Sequence, residues 1–215
     1  MRGHHDWIYM WLYGRAKTPS DLPWYREEPQ DLLAEIGKTR ERPGGALDVG
    51  CGSGMHAVWL AQQGWEVTGI DFTDRALEMA RERSQAAGTE INFEKRDVLA
   101  PAQPTEPFDL VLDVGCLHSW KSADQRAAYR ANLMSWLAPG GDYYLCHFER
   151  RHALDWRPIG PWRFPPAAIV ELFSSLELRE HRTEILKLPF PIGPTCQVGE
   201  YWFRRLLGRG ATSNP

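Results

Sequence analysis

The 215-residue chain is long enough for one domain with a full core, alone or with an appendage, and its 43% apolar and 25% charged residues are ordinary for a globular protein. A net charge of −3 supplies no general attraction to nucleic acid or anionic lipid, and no apolar run approaches the roughly 20 residues of a membrane span. Cys51, Cys116, Cys146 and Cys196 lie far apart without a C-x-x-C pair, which argues against zinc and a disulfide framework.

The start, Met1 to Asp6, has no signal-peptide core, so a cytoplasmic protein with reduced thiols and no metal site is expected. Asp6 to Tyr13 is an aromatic octapeptide that reads as a short helix. Gly14, Pro19 and Pro23 then impose a loop. Pro29 suits the first turn of a helix, with Leu32, Leu33 and Ile36 on one face and an end near Gly37. Ten tryptophans are an unusual number, and Trp7, Trp11, Trp24, Trp120, Trp156 and Trp162 fall outside the regular pattern described next. Tryptophans in loops suggest a cover over an apolar pocket, although packing of an irregular appendage explains any single one equally well.

Ala46, Leu47 and Val49 read as a buried strand, followed by Gly50, Gly52 and Gly54 at alternate positions. Ala57 to Ala61 has helical spacing, and Val67 to Ile70 forms a second strand ending in Asp71. Strand, glycine turn, helix and strand make one βαβ unit of a doubly wound sheet. Glycine lets the turn take positive φ and lets a ligand approach the backbone closely. The following helix N-terminus offers unpaired N–H groups, and Asp71 can accept two hydrogen bonds from a ribose diol. The ligand is therefore read as a nucleoside. A dinucleotide fingerprint needs a small third residue where this chain has Met55, so a nicotinamide-dependent oxidoreductase is disfavoured.

Thr73 is a plausible cap for a helix running to Gly88, and Ile91 to Glu94 alternates as a third strand. Pro101 to Pro107 is a loop, and Phe108 to Asp113 is apolar enough for a central fourth strand. Ser122 caps a helix from Ala123 to Leu137, with Tyr129, Leu133, Trp136 and Leu137 inward. Tyr143 to Phe148 is the fifth strand, 149–166 a loop rich in proline and tryptophan, and Ala167 to Leu176 a helix with Ile169, Leu172 and Phe173 inward. Segments 177–186 and 196–207 read as a terminal antiparallel pair, and Gly208 to Pro215 as a frayed tail.

The run Asp48-x-Gly50-x-Gly52-x-Gly54 resembles motif I of the class I S-adenosylmethionine (SAM) dependent methyltransferases, and Leu137-Ala138-Pro139-Gly140-Gly141 resembles their turn before the fifth strand. The resemblance covers about residues 45–205. It implies a Rossmann-like, doubly wound α/β fold with a seven-stranded sheet and an antiparallel last strand, here with an N-terminal aromatic-rich appendage. It also implies SAM as cofactor and S-adenosylhomocysteine as product. Asp48, Gly50, Cys51, Gly52, Gly54 and His56 would then lie at the aminoacid end of SAM, Asp71 and Phe72 at the ribose, and Asp97 and Val98 at the adenine. Asp113 would close the site from the fourth strand. Taken alone, Asp97 reads equally as a loop cap.

A narrower resemblance, to the thiopurine, thiol and halide methyltransferase-like group, rests on Trp11, Thr18-Pro19, Leu22-Pro23-Trp24, Pro29 and Leu32-Leu33, and on Gly160-Pro161-Trp162-Arg163 before a helix ending in Leu172-Phe173. It implies a small soluble enzyme, monomeric or homodimeric, acting on a small-molecule acceptor without nucleic acid or membrane. Three segments follow: a cap or substrate lid, 1–42; a methyltransferase domain, 43–207; and a disordered tail, 208–215.

Methyl transfer from a sulfonium is an in-line displacement helped mostly by positioning and by removal of water. A thiolate or halide needs no base, whereas a hydroxyl does. The candidate bases are His118, His147 and Asp113; His118, in the loop after the fourth strand, and Asp113 are the expected catalytic pair. Trp11, Trp24, Tyr25, Trp120, Phe148 and Trp162, with His118, are the expected substrate contacts, an electron-rich cage that would also suit a sulfonium. A macromolecular acceptor (RNA or protein) and a non-catalytic SAM-binding protein are the alternatives.

Overall fold

The computed structural model describes residues 6–39, 43–102, 106–152, 155, 162–187 and 195–207. The expectations that fall on Trp156, Gly160, Pro161 and the tail 208–215 lie outside the described residues.

Seven strands form one sheet, flanked by helices. In chain order they are β1 (Gly45–Val49), β2 (Glu66–Asp71), β3 (Asn92–Lys95), β4 (Phe108–Val114), β5 (Leu137–Glu149), β6 (Glu177–Lys187) and β7 (Thr195–Arg204). The spatial order is β3-β2-β1-β4-β5-β7-β6. The first five strands are mutually parallel, and β7 runs antiparallel between β5 and β6. This is the doubly wound sheet with a reversed last strand that was expected. Strand order reverses between β1 and β4, where a crevice opens beyond the carboxyl ends. Among the described residues, no helix is long and apolar enough to cross a membrane.

The helices are α1 (Asp6–Arg15), α2 (Asp31–Gly37), α3 (Met55–Gln62), α4 (Asp74–Ala87), α5 (Ala123–Trp136) and α6 (Pro166–Leu172). Alternation along each strand sends residues to opposite faces. Leu110 and Leu112 of β4 join Leu32, Leu33, Ile36, Leu60 and Leu77 in one core layer. Val111 joins Tyr129, Leu133, Trp136, Ile169 and Phe173 in the other. Ser122 caps α5 as expected, accepting from the Gln125 N–H at 3.1 Å. Thr73 stands at the N-cap of α4 without a side-chain cap bond; its N–H donates instead to Asp71 Oδ1 at 2.8 Å.

Two expectations change. The cap segment 1–42 divides, because α2 buries Leu32, Leu33 and Ile36 in the main core. Only α1 and the 3-10 turn Pro19–Asp21 form a separate piece, with Tyr13, Ala16 and Leu22 packed on Ala76 and Met79 of α4. In addition, β5 starts at Leu137, six residues before the alternating run, and pairs Leu137 with Phe108 across a register shift.

The reversed strand is tied down by a buried acid. Glu149, at the end of β5, accepts from Tyr201, from Gln197 Nε2 at 2.7 Å and from Thr183 Oγ1 at 3.3 Å, and it pairs with His181 Nε2 at 2.7 Å. Its carboxylate fills the space where a side chain at position 199 would go, so β7 carries Gly199 there.

Gly54 explains why the glycine turn tolerates no Cβ at its third step. It has φ +76°, and a Cβ would meet Ala80 Cβ at 2.9 Å and Ala80 Cα at 3.1 Å. Gly54→Ala is therefore expected to cost about 2–4 kcal/mol, the sum of left-handed strain and overpacking. Urea denaturation should read this as a lower midpoint with an unchanged slope.

Candidate active site

The site is built on the turn between β1 and α3. Gly50, Gly52 and Gly54 all have positive φ, and the N–H groups of Gly50 and Cys51 donate to Ile70 O at 2.8 and 3.0 Å. These bonds fold the turn back on β2. There Asp71 Oδ2 accepts from the Gly52 N–H at 3.0 Å while Oδ1 accepts from Thr73. The carboxylate at the tip of β2 thus stands directly beside the turn, as spacing alone predicted. Cys51 contributes backbone only, since its thiol is buried in the core against Gly69.

Three carboxyls converge under this edge. Burial, then Asp113, then Asp71 push the Asp48 carboxyl up to about 8, against a bond from the Ala57 N–H. Asp71 is raised by burial and restrained by the backbone donors around it, Phe72 among them. Burial raises Asp113 to about 6 against a bond from Tyr129. Its oxygens accept from Tyr129 Oη at 2.6 Å, from the Cys116 N–H at 2.7 Å and from the Leu117 N–H at 3.0 Å. Asp113 is fully buried. The expected proton-accepting role for it is corrected: its carboxylate holds the loop after β4 in shape and does not face the crevice.

That loop presents His118. The ring lies 5.2 Å from the Phe148 ring and 6.2 Å from that of His147, and Nε2 is hydrogen-bonded to the Tyr9 hydroxyl at 2.8 Å. One turn further along α1, the Tyr13 hydroxyl stands 2.5 Å from where a Cβ on Gly52 would be. Burial, then Asp71, raises the Tyr13 pKa, keeping the phenol protonated. Trp24 packs on both tyrosines, with centroids 5.5 and 5.8 Å away. Helix α1 therefore lies across the switch point, from the glycine turn to the loop after β4.

The helix's other face corrects a second expectation. Trp11 is 55% exposed and carries Arg15 over its ring, so it turns away from the site. Trp120 is buried in the α5 core layer and forms no part of a cage. Trp162 is 41% exposed under Lys121, and its N–H donates to His118 O. Tyr25 lies under Arg83, whose Nε donates to Ser53 O in the glycine turn. His56 is lowered to about 3 by burial, then by Arg26 and Arg83. Its Nε2 pairs with Gln30 Oε1 at 2.9 Å. Asp97 is exposed and accepts from the Leu99 N–H, the loop cap that was its rival reading, and Val98 is buried beside it. Tyr9, Tyr13 and Gln30 were missed. The i, i+4 spacing of the tyrosines was a signal, but nothing in the octapeptide tells which helix face turns inward.

Residues 46–141 match the family described as methyltransferase domain. An uncharacterized methyltransferase of Schizosaccharomyces pombe is 35% identical over 117 residues, 54% of this chain and 72% of that protein. The 2-heptyl-1-hydroxyquinolin-4(1H)-one methyltransferase of Mycobacteroides abscessus is 26% identical over 63% of this chain and 62% of its own length. Among solved structures, the 1,6-didemethyltoxoflavin-N1-methyltransferase of Burkholderia thailandensis, with bound 1,6-didemethyltoxoflavin and S-adenosylhomocysteine, superposes with a TM-score of 0.68 at 20% identity, covering 96% of this chain and 92% of that one. That last likeness concerns the fold.

The buried carboxyls make stability depend on pH. Folded Asp48 keeps its proton to about pH 8, whereas the unfolded group releases it near 3.8, so between these values the folded state binds more protons and stability falls as pH rises. Asp113 acts in the same direction only up to about pH 6, and His56 acts in the opposite direction only below its ordinary 6.5. Of these three, Asp48 alone still titrates from pH 6.5 to 8. Across that window the native chain should lose roughly 1–2 kcal/mol through this group. Asp48→Asn should flatten the loss in urea titrations run at each pH.

Proposed function

We propose a small-molecule methyl acceptor for this chain, which belongs to the methyltransferase family and uses S-adenosylmethionine as its cofactor. The observation that carries the reading is the junction of turn and acid, with the Gly52 N–H on Asp71 at the switch point and the His118 loop beside it.

The residues present fit the cofactor. Positive-φ glycines bring backbone close to a ligand, and Asp71 supplies a carboxylate for a ribose diol. Burial, then the charges of Asp113 and Asp71, raise Asp48, and a ligand carrying net positive charge relieves this crowding of acids where an anionic pyrophosphate would add to it. Bound there, SAM supplies an electrophilic methyl group on a sulfonium. Asp71 holds the sugar and the glycine turn holds the aminoacid end. Tyr9, Tyr13 and Trp24 cover the edge and exclude water, which strengthens every charge interaction beneath them. His118 stands where an acceptor hydroxyl would be deprotonated, while Phe148 and Trp162 border the acceptor. The likeness of the Thr18-Pro19 to Trp24 segment and of Trp162-Arg163 to the thiopurine, thiol and halide group supports a compact acceptor.

Two variants test the assignment. Asp71→Asn should weaken SAM binding by roughly tenfold to a hundredfold in calorimetry, the loss of one charge-assisted hydrogen bond. Unchanged affinity would remove the ribose role. His118→Ala should slow methylation of a phenol by about 10²–10⁴ and that of a thiol far less; equal losses would make His118 a packing residue. Label from SAM appearing in RNA or protein instead of small molecules would overturn the acceptor class.

A further inference from the structure

His147 is the histidine of β5, and its environment differs from that of His118 in the loop after β4. Val114, the last residue of β4, pairs with Cys146, so His147 lies one residue beyond the β4 ladder while still pairing with Gly199 of β7. Its ring is 1% exposed and stacks on Phe164 at 5.3 Å and 25°. His118 lies 6.2 Å away, itself bonded to Tyr9 of α1. Neither Nδ1 nor Nε2 of His147 has a hydrogen-bond partner among the described residues. Burial, then the neighbouring His118, holds the imidazole well below its ordinary pKa, so it is neutral. A neutral imidazole presents one N–H donor and one lone pair, and a buried polar group left without a partner is destabilising.

We propose that His147 is the residue that selects the acceptor, hydrogen-bonding the hydroxyl of a flat aromatic molecule whose ring packs beside Phe164 and Trp162. The inference rests on the small-molecule reading above and names its substrate class. Three features support it. A hydroxyl both donates and accepts, which matches either nitrogen of a neutral imidazole. An aromatic amine donates but accepts poorly, its lone pair being delocalised into the ring, and a thiolate only accepts and is larger. Trp162, 41% exposed and T-shaped to Phe164 with centroids 6.4 Å apart, offers an aromatic surface beside the His147–Phe164 stack for a planar ring. Arg126 lies over Phe164 at 4.9 Å and Lys121 over Trp162 at 5.0 Å, so these rings carry positive charge on their outer sides, which favours an oxygen gaining negative character.

The reaction balances with groups already in place. The acceptor oxygen's lone pair forms the O–CH3 bond, the electron pair of the breaking C–S bond stays on sulfur as the thioether, and the hydroxyl proton passes to His118. One positive charge is present before and after, first on sulfur and then on the imidazole. His147 takes no proton; it holds the oxygen in line.

The test uses three probes with one ring system: 2-naphthol, 2-naphthalenethiol and 2-naphthylamine. Calorimetry on the full chain saturated with S-adenosylhomocysteine measures binding without turnover, and methylation is measured separately with labelled SAM. The native chain should bind and methylate 2-naphthol in preference to the other two. His147→Phe keeps the ring stack and removes both nitrogens. It should weaken 2-naphthol binding about tenfold, raise its KM more than it lowers kcat, and cut the naphthol-to-thiol ratio of kcat/KM at least fivefold. His147→Gln, which retains a donor and an acceptor, should recover part of that ratio. An unchanged ratio in both variants overturns the proposal, as does an equal loss in both accompanied by weaker cofactor binding. Should His147→Phe not fold, the native preference decides, and the thiol or amine outrunning 2-naphthol overturns it. If SAM binds and none of the three probes is methylated, the aromatic acceptor is wrong while the family reading stands. If SAM does not bind, the family reading itself falls.

Discussion

One hydrogen bond organises the carboxyl edge of this protein, the donation from the Gly52 N–H to Asp71 Oδ2. It closes the turn after β1 onto the tip of β2, and it exists only because three glycines adopt left-handed φ in succession. The same turn starts α3, whose first residues sit over Asp48. Backbone conformation, ligand geometry and electrostatics are thereby joined in nine residues. Moving the turn would separate the acid from the backbone that a nucleoside must approach.

Beneath that edge lies an electrostatic cost that the fold sustains without pairing. Asp48, Asp71 and Asp113 lie at the carboxyl ends of adjacent parallel strands; burial raises all three, and at Asp48 the charges of Asp113 and Asp71 add to it. Asp113 is satisfied by Tyr129 and two backbone donors, so it serves the loop that carries His118. Asp71 keeps its oxygens on backbone N–H groups at the rim.

Above the edge, α1 is docked rather than integral. Its tyrosines face the crevice, its tryptophans Trp7 and Trp11 face out, and its anchorage is a small cluster on α4. Helix α2, by contrast, is a full member of the core. The boundary between cover and domain therefore falls between Trp24 and Asp31, in a stretch where Gln30 reaches both His56 and Cys146.

Local signals decided the βαβ unit, the strand-end acid Asp71, the caps at Ser122 and Gly88 and the terminal antiparallel pair, because each is written in neighbouring residues: periodicity, glycine at a turn, a hydroxyl before a helix. Those units give only βαβ repetition and a terminal hairpin; seven strands with a reversed last one were implied by the resemblance, and tertiary packing sets their order. Which face of α1 turns inward was decided only by docking on α4, so Trp11 was mistaken for a contact and Tyr9 and Tyr13 went unnoticed. Asp113, near the end of β4, and Trp120, just after the 3-10 turn that follows, turn inward through packing against α5, which no local pattern encodes. The pairing of His118 with Tyr9, 109 residues apart, and the placement of His147 beside Phe164 come from chain segments that meet only in the folded sheet. Sequence encodes the local geometry of the glycine turn and its strand-end acid; long-range packing chooses the side chains that gather around them.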